Sequence, residues 1–274
     1  MNIKTITTLA AFACALPLPA ATVAPAVTTS ADDQQAKLAM ELNNPVAALI
    51  SMPLQSNWDF GIGPNDAYQY TLKVQPVIPI ALNEEWNIIS RTILPVIDAE
   101  SPAPSIDSVS GLGNTNQSFF LSPENKTADG LIWGAGPIIL VPTATDDLLG
   151  PNRWGAGPTA LALKQTDGWT YGILANQLWS FGGGGVNATN ATYLQPFVSY
   201  TTKRHTTFAL NSESTYDWEN SQWSIPLNLM VSQLVKIGEL PVQFQAGIRN
   251  YVDGPDDGPN WGLRFTVTFL LPKS

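Results

Sequence analysis

In 274 residues the chain has one cysteine, Cys14, and one histidine, His205. With no second thiol there is no disulfide to staple the fold, and a lone imidazole cannot build a histidine-rich metal site. Charge is scarce as well: Asp, Glu, Lys and Arg make up 13% of residues, with a net charge of −9. The basic residues form no run longer than Lys203-Arg204, which makes a phosphate backbone a poor partner. Nowhere do 18 apolar residues follow one another, which excludes helical membrane spans. The place of an ordinary charged surface is taken by nine Trp, seven Tyr, 22 Pro and 21 Gly.

The opening segment, MNIKTITTLAAFACALPLPAATVAPA, has one Lys, an apolar stretch and the small-residue arrangement Ala24-Pro25-Ala26. Residues 1–26 therefore read as a secretory signal, with an apolar run too short for a membrane anchor. Cys14 lies inside it, and Ala11-Phe12-Ala13 lacks the aliphatic residue expected before a lipidated cysteine. Residues 27–44 form a short periplasmic segment. It contains a polar helix from about Asp33 to Asn43, with Asp32 or Asp33 as N-cap and Pro45 as the stop.

From residue 45 to 274 everything is strand-like. Twelve segments alternate with turn signals such as PENKTADG, TDG, TKRH, KIGE and DGPDDGPN. In the last segment Trp261, Leu263, Phe265, Val267 and Phe269 share one face, opposite Gly262, Arg264, Thr266 and Thr268. Tyr68, Tyr70, Leu72 and Val74 likewise oppose Gln69, Thr71, Lys73 and Gln75. A soluble sandwich would carry charge on its outer faces, whereas these polar faces are Thr, Ser, Asn and Gln. The expected fold is an all-β, closed antiparallel transmembrane barrel of about 12 strands, apolar outside and polar inside. The helix before it is expected either to enter the barrel mouth as a plug or to cover it.

Trp58, Trp86, Trp133, Trp154, Trp169, Trp179, Trp218, Trp223 and Trp261 all lie near expected strand ends, where indole rings favour a membrane–water boundary. Trp169 and Trp179 share one strand and one parity, so at ~3.3 Å per residue and ~40° tilt they stand ~25 Å apart along the membrane normal. The pentapeptide WGAGP occurs at Trp133–Pro137 and again at Trp154–Pro158. It is read as a strand signature used at opposite ends of one hairpin. With strands alternating from a periplasmic N-terminus, the far-side loops collect acids, among them Asp59, Asp98, Asp146, Asp217 and Asp253, while the near-side turns balance acid and base.

Several stretches, among them NPVAALISMPLQSNWDFGIGPNDAYQYTLKVQPVIPIAL, WNIISRTILPVI, GLIWGAGPIILVPTATDDLLG and LQPFVSYTT, resemble an outer-membrane β-barrel family. It is named for the MetA pathway of phenol degradation, and its members are often described as transporters or as "neuromedin U". The resemblance runs from about Asn44 onward. It implies a Gram-negative bacterial outer-membrane barrel, exported by its signal, with a role in the passage of small, aromatic molecules. It implies no catalytic motif. The chain departs from barrels that end on an aromatic residue, because Phe269 is set back from the terminus. Six prolines, Pro76, Pro95, Pro137, Pro158, Pro196 and Pro226, fall inside expected strands, where each removes a ladder donor; bulges are expected at them.

If the ring closes, Arg249, Arg264, Lys73 and Arg91 have lumen parity on one arc of neighbouring strands, with Glu213 further round. Such a basic wall would favour anions or orient the polar end of an apolar solute. The alternative is a structural network filling the lumen of a non-transporting envelope protein. The expected partners are outer-membrane lipid and lipopolysaccharide, a small-molecule solute and the barrel-assembly machinery. No cofactor, metal site or catalytic residue is expected: His205 sits in a basic turn with no evident triad, and DGPDDGPN lacks calcium-loop spacing.

Overall fold

The computed structural model describes residues 30–183 and 188–271, so the expected signal segment lies outside the described residues. Twelve staves form the wall. They are β1 (Ile50–Ile62), β2 (Ala67–Val74 and Val77–Ala81), β3 (Trp86–Ala99), β4 (Val109–Leu112 and Thr115–Pro123), β5 (Leu131–Val141) and β6 (Arg153–Thr166). They continue as β7 (Trp169–Gly183), β8 (Asn190–Thr201), β9 (Thr206–Ser212 and Ser214–Asp217), β10 (Gln222–Ile237), β11 (Leu240–Asp253) and β12 (Trp261–Leu271). Each pairs antiparallel with the next, and β12 returns to β1 in unbroken register from Ile50↔Leu271 to Phe60↔Trp261. Closure leaves no sheet edge, the condition for crossing hydrocarbon with strands.

The period-two reading of the faces holds. On β12, Leu263 and Phe265 are exposed while Arg264, Thr266 and Thr268 are buried inside. On β10, Leu227, Leu229 and Val231 point out while Asn228 and Ser232 are buried. Side-chain parity survives along the wall because the register shifts sit at strand ends. They fall at Phe60/Ile62, Trp154/Gly155 and Ile225/Pro226, and between Leu112 and Asn116 on β4, all toward the end of the barrel remote from the N-terminal helix.

The prolines meet the expectation of bulges only in part. Pro76 interrupts β2, and Pro226 borders a register shift. Pro95 opposes a one-residue bulge at Gly113-Asn114, where the β3–β4 register shifts between Val96↔Leu112 and Ile93↔Asn116, whereas Pro137, Pro158 and Pro196 sit in unshifted register. Pro137 and Pro158 face each other directly, so the two WGAGP copies run antiparallel about this pair and hold Trp133 and Trp154 at opposite ends of the hairpin. The missing donors leave one gap in each flanking ladder, between β4 and β5 at Gly136-Pro137 and between β6 and β7 at Gly157-Pro158. There the backbones close up: a Cβ at Gly136 would lie 2.0 Å from the Phe119 carbonyl oxygen, and one at Gly157 would lie 1.7 Å from that of Gln177. Glycine is required at both positions.

Helix α1 spans Ser30–Glu41. It starts upstream of the expected Asp33, so Asp32 and Asp33 occupy its first turn, facing the positive end of the helix dipole. Ala39 is buried against Leu234 and Leu270, Gln165 Nε2 donates to the Met40 carbonyl at 2.8 Å, and His205 Nε2 lies 3.0 Å from the Asp32 carbonyl oxygen. The helix thus covers the mouth, and the chain after it enters. Val46 is buried in a cluster with Ile89, Phe120, Leu161, Leu163 and Leu174 on the inner wall.

Candidate functional site: the barrel lumen

The five lumen candidates read from the sequence all border the interior. Lys73, Arg91, Glu213 and Arg249 line one cavity, and Arg264 lines its neighbour. Glu213 stands further round, on β9, as parity suggested, but its carboxylate meets the basic wall. It bridges Arg264, with Nη1 and Nη2 at 2.7 and 2.9 Å from its two oxygens, and lies 3.6 Å from Arg249 Nη2. The arc is therefore partly neutralised.

Asp59 completes the network, and its assignment to a far-side loop is corrected. It lies on β1 with 6% exposure, 3.3 Å from Arg249 Nη1, and accepts the Tyr251 hydroxyl at 3.1 Å. Asn57 accepts from Arg264 Nε at 2.8 Å and from Gln55 Nε2 at 3.2 Å; Gln55 accepts from Gln75, which accepts from Arg91 Nη2 at 3.1 Å. Four cations thus meet two carboxylates, Asp59 and Glu213. Lys73 has no hydrogen bond or ion pair among the described residues. Its ammonium feels these carboxylates only through space.

The opposite wall overturns the expectation of a polar interior all round. On β4 to β7 the inward positions include Phe120, Ile138, Leu140, Leu161, Leu163, Leu174 and Leu178, all buried. The lumen is two-faced. On β6 the outer face is small, with Ala160 and Ala162 opposite the inward Leu161 and Leu163, whereas β7 carries large apolar residues on both faces.

Three cavities follow one another along the barrel. The outer one, about 470 Å³, reaches Thr189, Ser224 and Tyr251 at the far end. It shares Lys73, Arg91, Ile93, Tyr193 and Glu213 with a middle cavity of about 200 Å³. This in turn shares Pro45, Gln75 and Arg91 with an inner cavity of about 160 Å³ floored by residues 41–49. Two constrictions result: a charged waist, and the N-terminal segment.

The nine tryptophans occupy strand ends. Trp86 and Trp133 meet edge to face near the helix end, where Trp169 packs on Tyr200. Toward the far end Trp58 packs on Tyr70, Trp261 stacks on Phe60, and Trp218 and Trp223 flank Tyr216. Trp154, Trp169, Trp179 and Trp261 are about half exposed on the outer surface. His205 contacts the helix backbone, and no group of three or more potential metal ligands gathers among the described residues.

The site residues missed in the sequence are Asp59, Asn57, Gln75, Tyr193, Tyr251 and the leucine wall. Asn57 and Gln75 were readable as lumen-facing by parity.

No protein-family model matches the chain, and no curated protein matches it by sequence. Solved structures do. An outer-membrane channel from Pseudomonas putida F1 aligns with a TM-score of 0.63 at 15% identity, over 82% of this chain and 96% of that one. Outer-membrane phospholipase A from Escherichia coli aligns with a TM-score of 0.50 at 11% identity, over 88% and 98%. At such identities the likeness is one of fold, and the fold of this chain is that of a closed, twelve-strand outer-membrane β-barrel.

Proposed function

We propose that the chain is a passive outer-membrane channel for small solutes, selective for anions and tolerant of apolar bodies. The observation that carries this reading is the file of three cavities along the barrel, joined at a waist where Lys73 and Arg91 outnumber Glu213. In a narrow, low-dielectric lumen an uncompensated cation raises the local anion concentration. The similarity to a barrel described as an outer-membrane channel supports the reading. The resemblance of the quoted stretches to the family named for MetA phenol degradation supports an aromatic solute. Export by residues 1–26, insertion by the barrel-assembly machinery, and contact with lipid and lipopolysaccharide belong to the same proposal. The test is uptake of labelled aromatic and anionic solutes into liposomes holding the refolded protein. Anion uptake above that of cations of equal size supports it, and a folded barrel that passes neither overturns it.

A second reading, a non-transporting binding or structural protein of the envelope, is favoured by one observation: Val46 packs into the inner wall and residues 41–49 close the helix end. Absence of flux from a folded barrel would select it.

A further inference from the structure

The outer cavity has an asymmetry that a simple diffusion pore does not need. One side presents Phe120, Ile138, Leu140, Leu174 and Leu178; the other presents Lys73, Arg91, Arg249 and Tyr251. Arg249 and Arg264 are committed to carboxylates. Lys73 has no partner among the described residues, and Arg91 has only an amide oxygen, that of Gln75. Arg249, 7% exposed, also keeps its Nε donor without a hydrogen-bond partner. Buried polar groups ordinarily find partners, so a cluster of unmet ones beside an apolar wall calls for a ligand that supplies both halves.

The geometry points to a saturable binding site in the outer cavity for a small amphipathic monocarboxylate: an apolar ring or short chain against the leucine wall, and its carboxylate on Lys73 and Arg91. The substrate class follows from three features. A carboxylate offers acceptors to both unmatched cations, and a charge-assisted hydrogen bond there is stronger than one to a neutral hydroxyl. The wall of Phe120, Ile138, Leu140, Leu174 and Leu178 rewards burial of apolar area, which a small inorganic anion lacks. A volume of about 470 Å³ admits a single-ring or short-chain acid. The site stands at the waist, so a bound acid occupies the passage itself.

This inference deepens the channel reading and rests on it for its role, but the site is tested apart from conduction. Calorimetric titration of the refolded full chain in detergent uses benzoate, with acetate and benzyl alcohol as probes that each lack one half. Benzoate is expected to bind saturably, and both controls to bind about tenfold more weakly or less. Lys73→Met and Arg91→Gln should each weaken benzoate about tenfold, and Leu140→Ser should weaken benzoate as well. Heat-modifiable mobility on gels confirms that each variant is a closed barrel, and whichever cation variant folds decides the point. Equal affinity for benzoate and acetate, or benzoate binding unchanged in the folded variants, overturns the site. Benzoate binding without any solute flux overturns the channel reading and leaves the site standing.

Discussion

Arg264 on β12 grips Glu213 on β9 with both terminal guanidinium nitrogens, at 2.7 and 2.9 Å, across the two strands that separate them in the wall. Both side chains are nearly dry, 2% and 12% exposed, and the carboxylate also faces Arg249. Removing one member of such a set leaves a buried charge without its counterpart. Glu213→Gln is expected to cost about 3–5 kcal/mol in reversible urea unfolding from lipid vesicles. It should also strengthen the anion preference of the lumen by taking away one of its two carboxylates. A neutral effect on unfolding would mean that the arginines find other partners.

Replacing an outward residue near the bilayer middle by a cation tests which face meets lipid. Leu229 on β10 is 56% exposed, while its neighbour Asn228 is fully buried. Leu229→Arg should cost about 2–4 kcal/mol in the same unfolding measurement if Leu229 stands near the midplane. A cost near zero in a folded barrel would contradict the lipid-facing assignment of β10.

How much of this was legible in the chain depends on how strongly each strand alternates. In β12, large apolar and small polar residues trade places at every step, so the lumen position of Arg264 follows from period two alone. On β5 and β6 the WGAGP and ALAL stretches put alanine on one face, and glycine followed by leucine or isoleucine on the other. Nothing local says that this leucine face is the inner one; that is decided only by what stands opposite, including Val46 from the N-terminal segment. Asp59 was lost because a carboxylate three residues from a strand end reads as rim, and only its pairing with Arg249, 190 positions away, reveals it as interior. The meeting of Glu213 with Arg264 depends on the reach of two side chains across the lumen, which strand order does not contain.

The N-terminal segment is expected to restrict the passage. The ring is closed by β1 and β12 without it, so a chain lacking residues 30–48 should still give a heat-modifiable barrel. Its single-channel conductance should rise severalfold, because the floor of the middle and inner cavities is gone. Unchanged conductance in a folded barrel would place the limiting constriction wholly at the Lys73–Glu213 waist.

Trp169 and Trp179 sit ten residues apart on the outer face of β7. They should report on opposite leaflets, about 25 Å apart along the normal. In variants keeping one of the two in a background cleared of other tryptophans, lipids brominated near the headgroup of one leaflet should quench one and spare the other. Equal quenching of both from a single leaflet would contradict the tilt and orientation of the barrel.

The most direct measurement is the reversal potential of the refolded protein in a planar bilayer under a steep KCl gradient. With Lys73, Arg91, Arg249 and Arg264 facing only Asp59 and Glu213 inside the wall, chloride is expected to carry the larger share of the current. Arg91→Ala should move the potential toward the unselective value. A cation-selective potential, or no current from a barrel shown to be folded and inserted, would contradict the claim that this lumen is an anion-preferring passage.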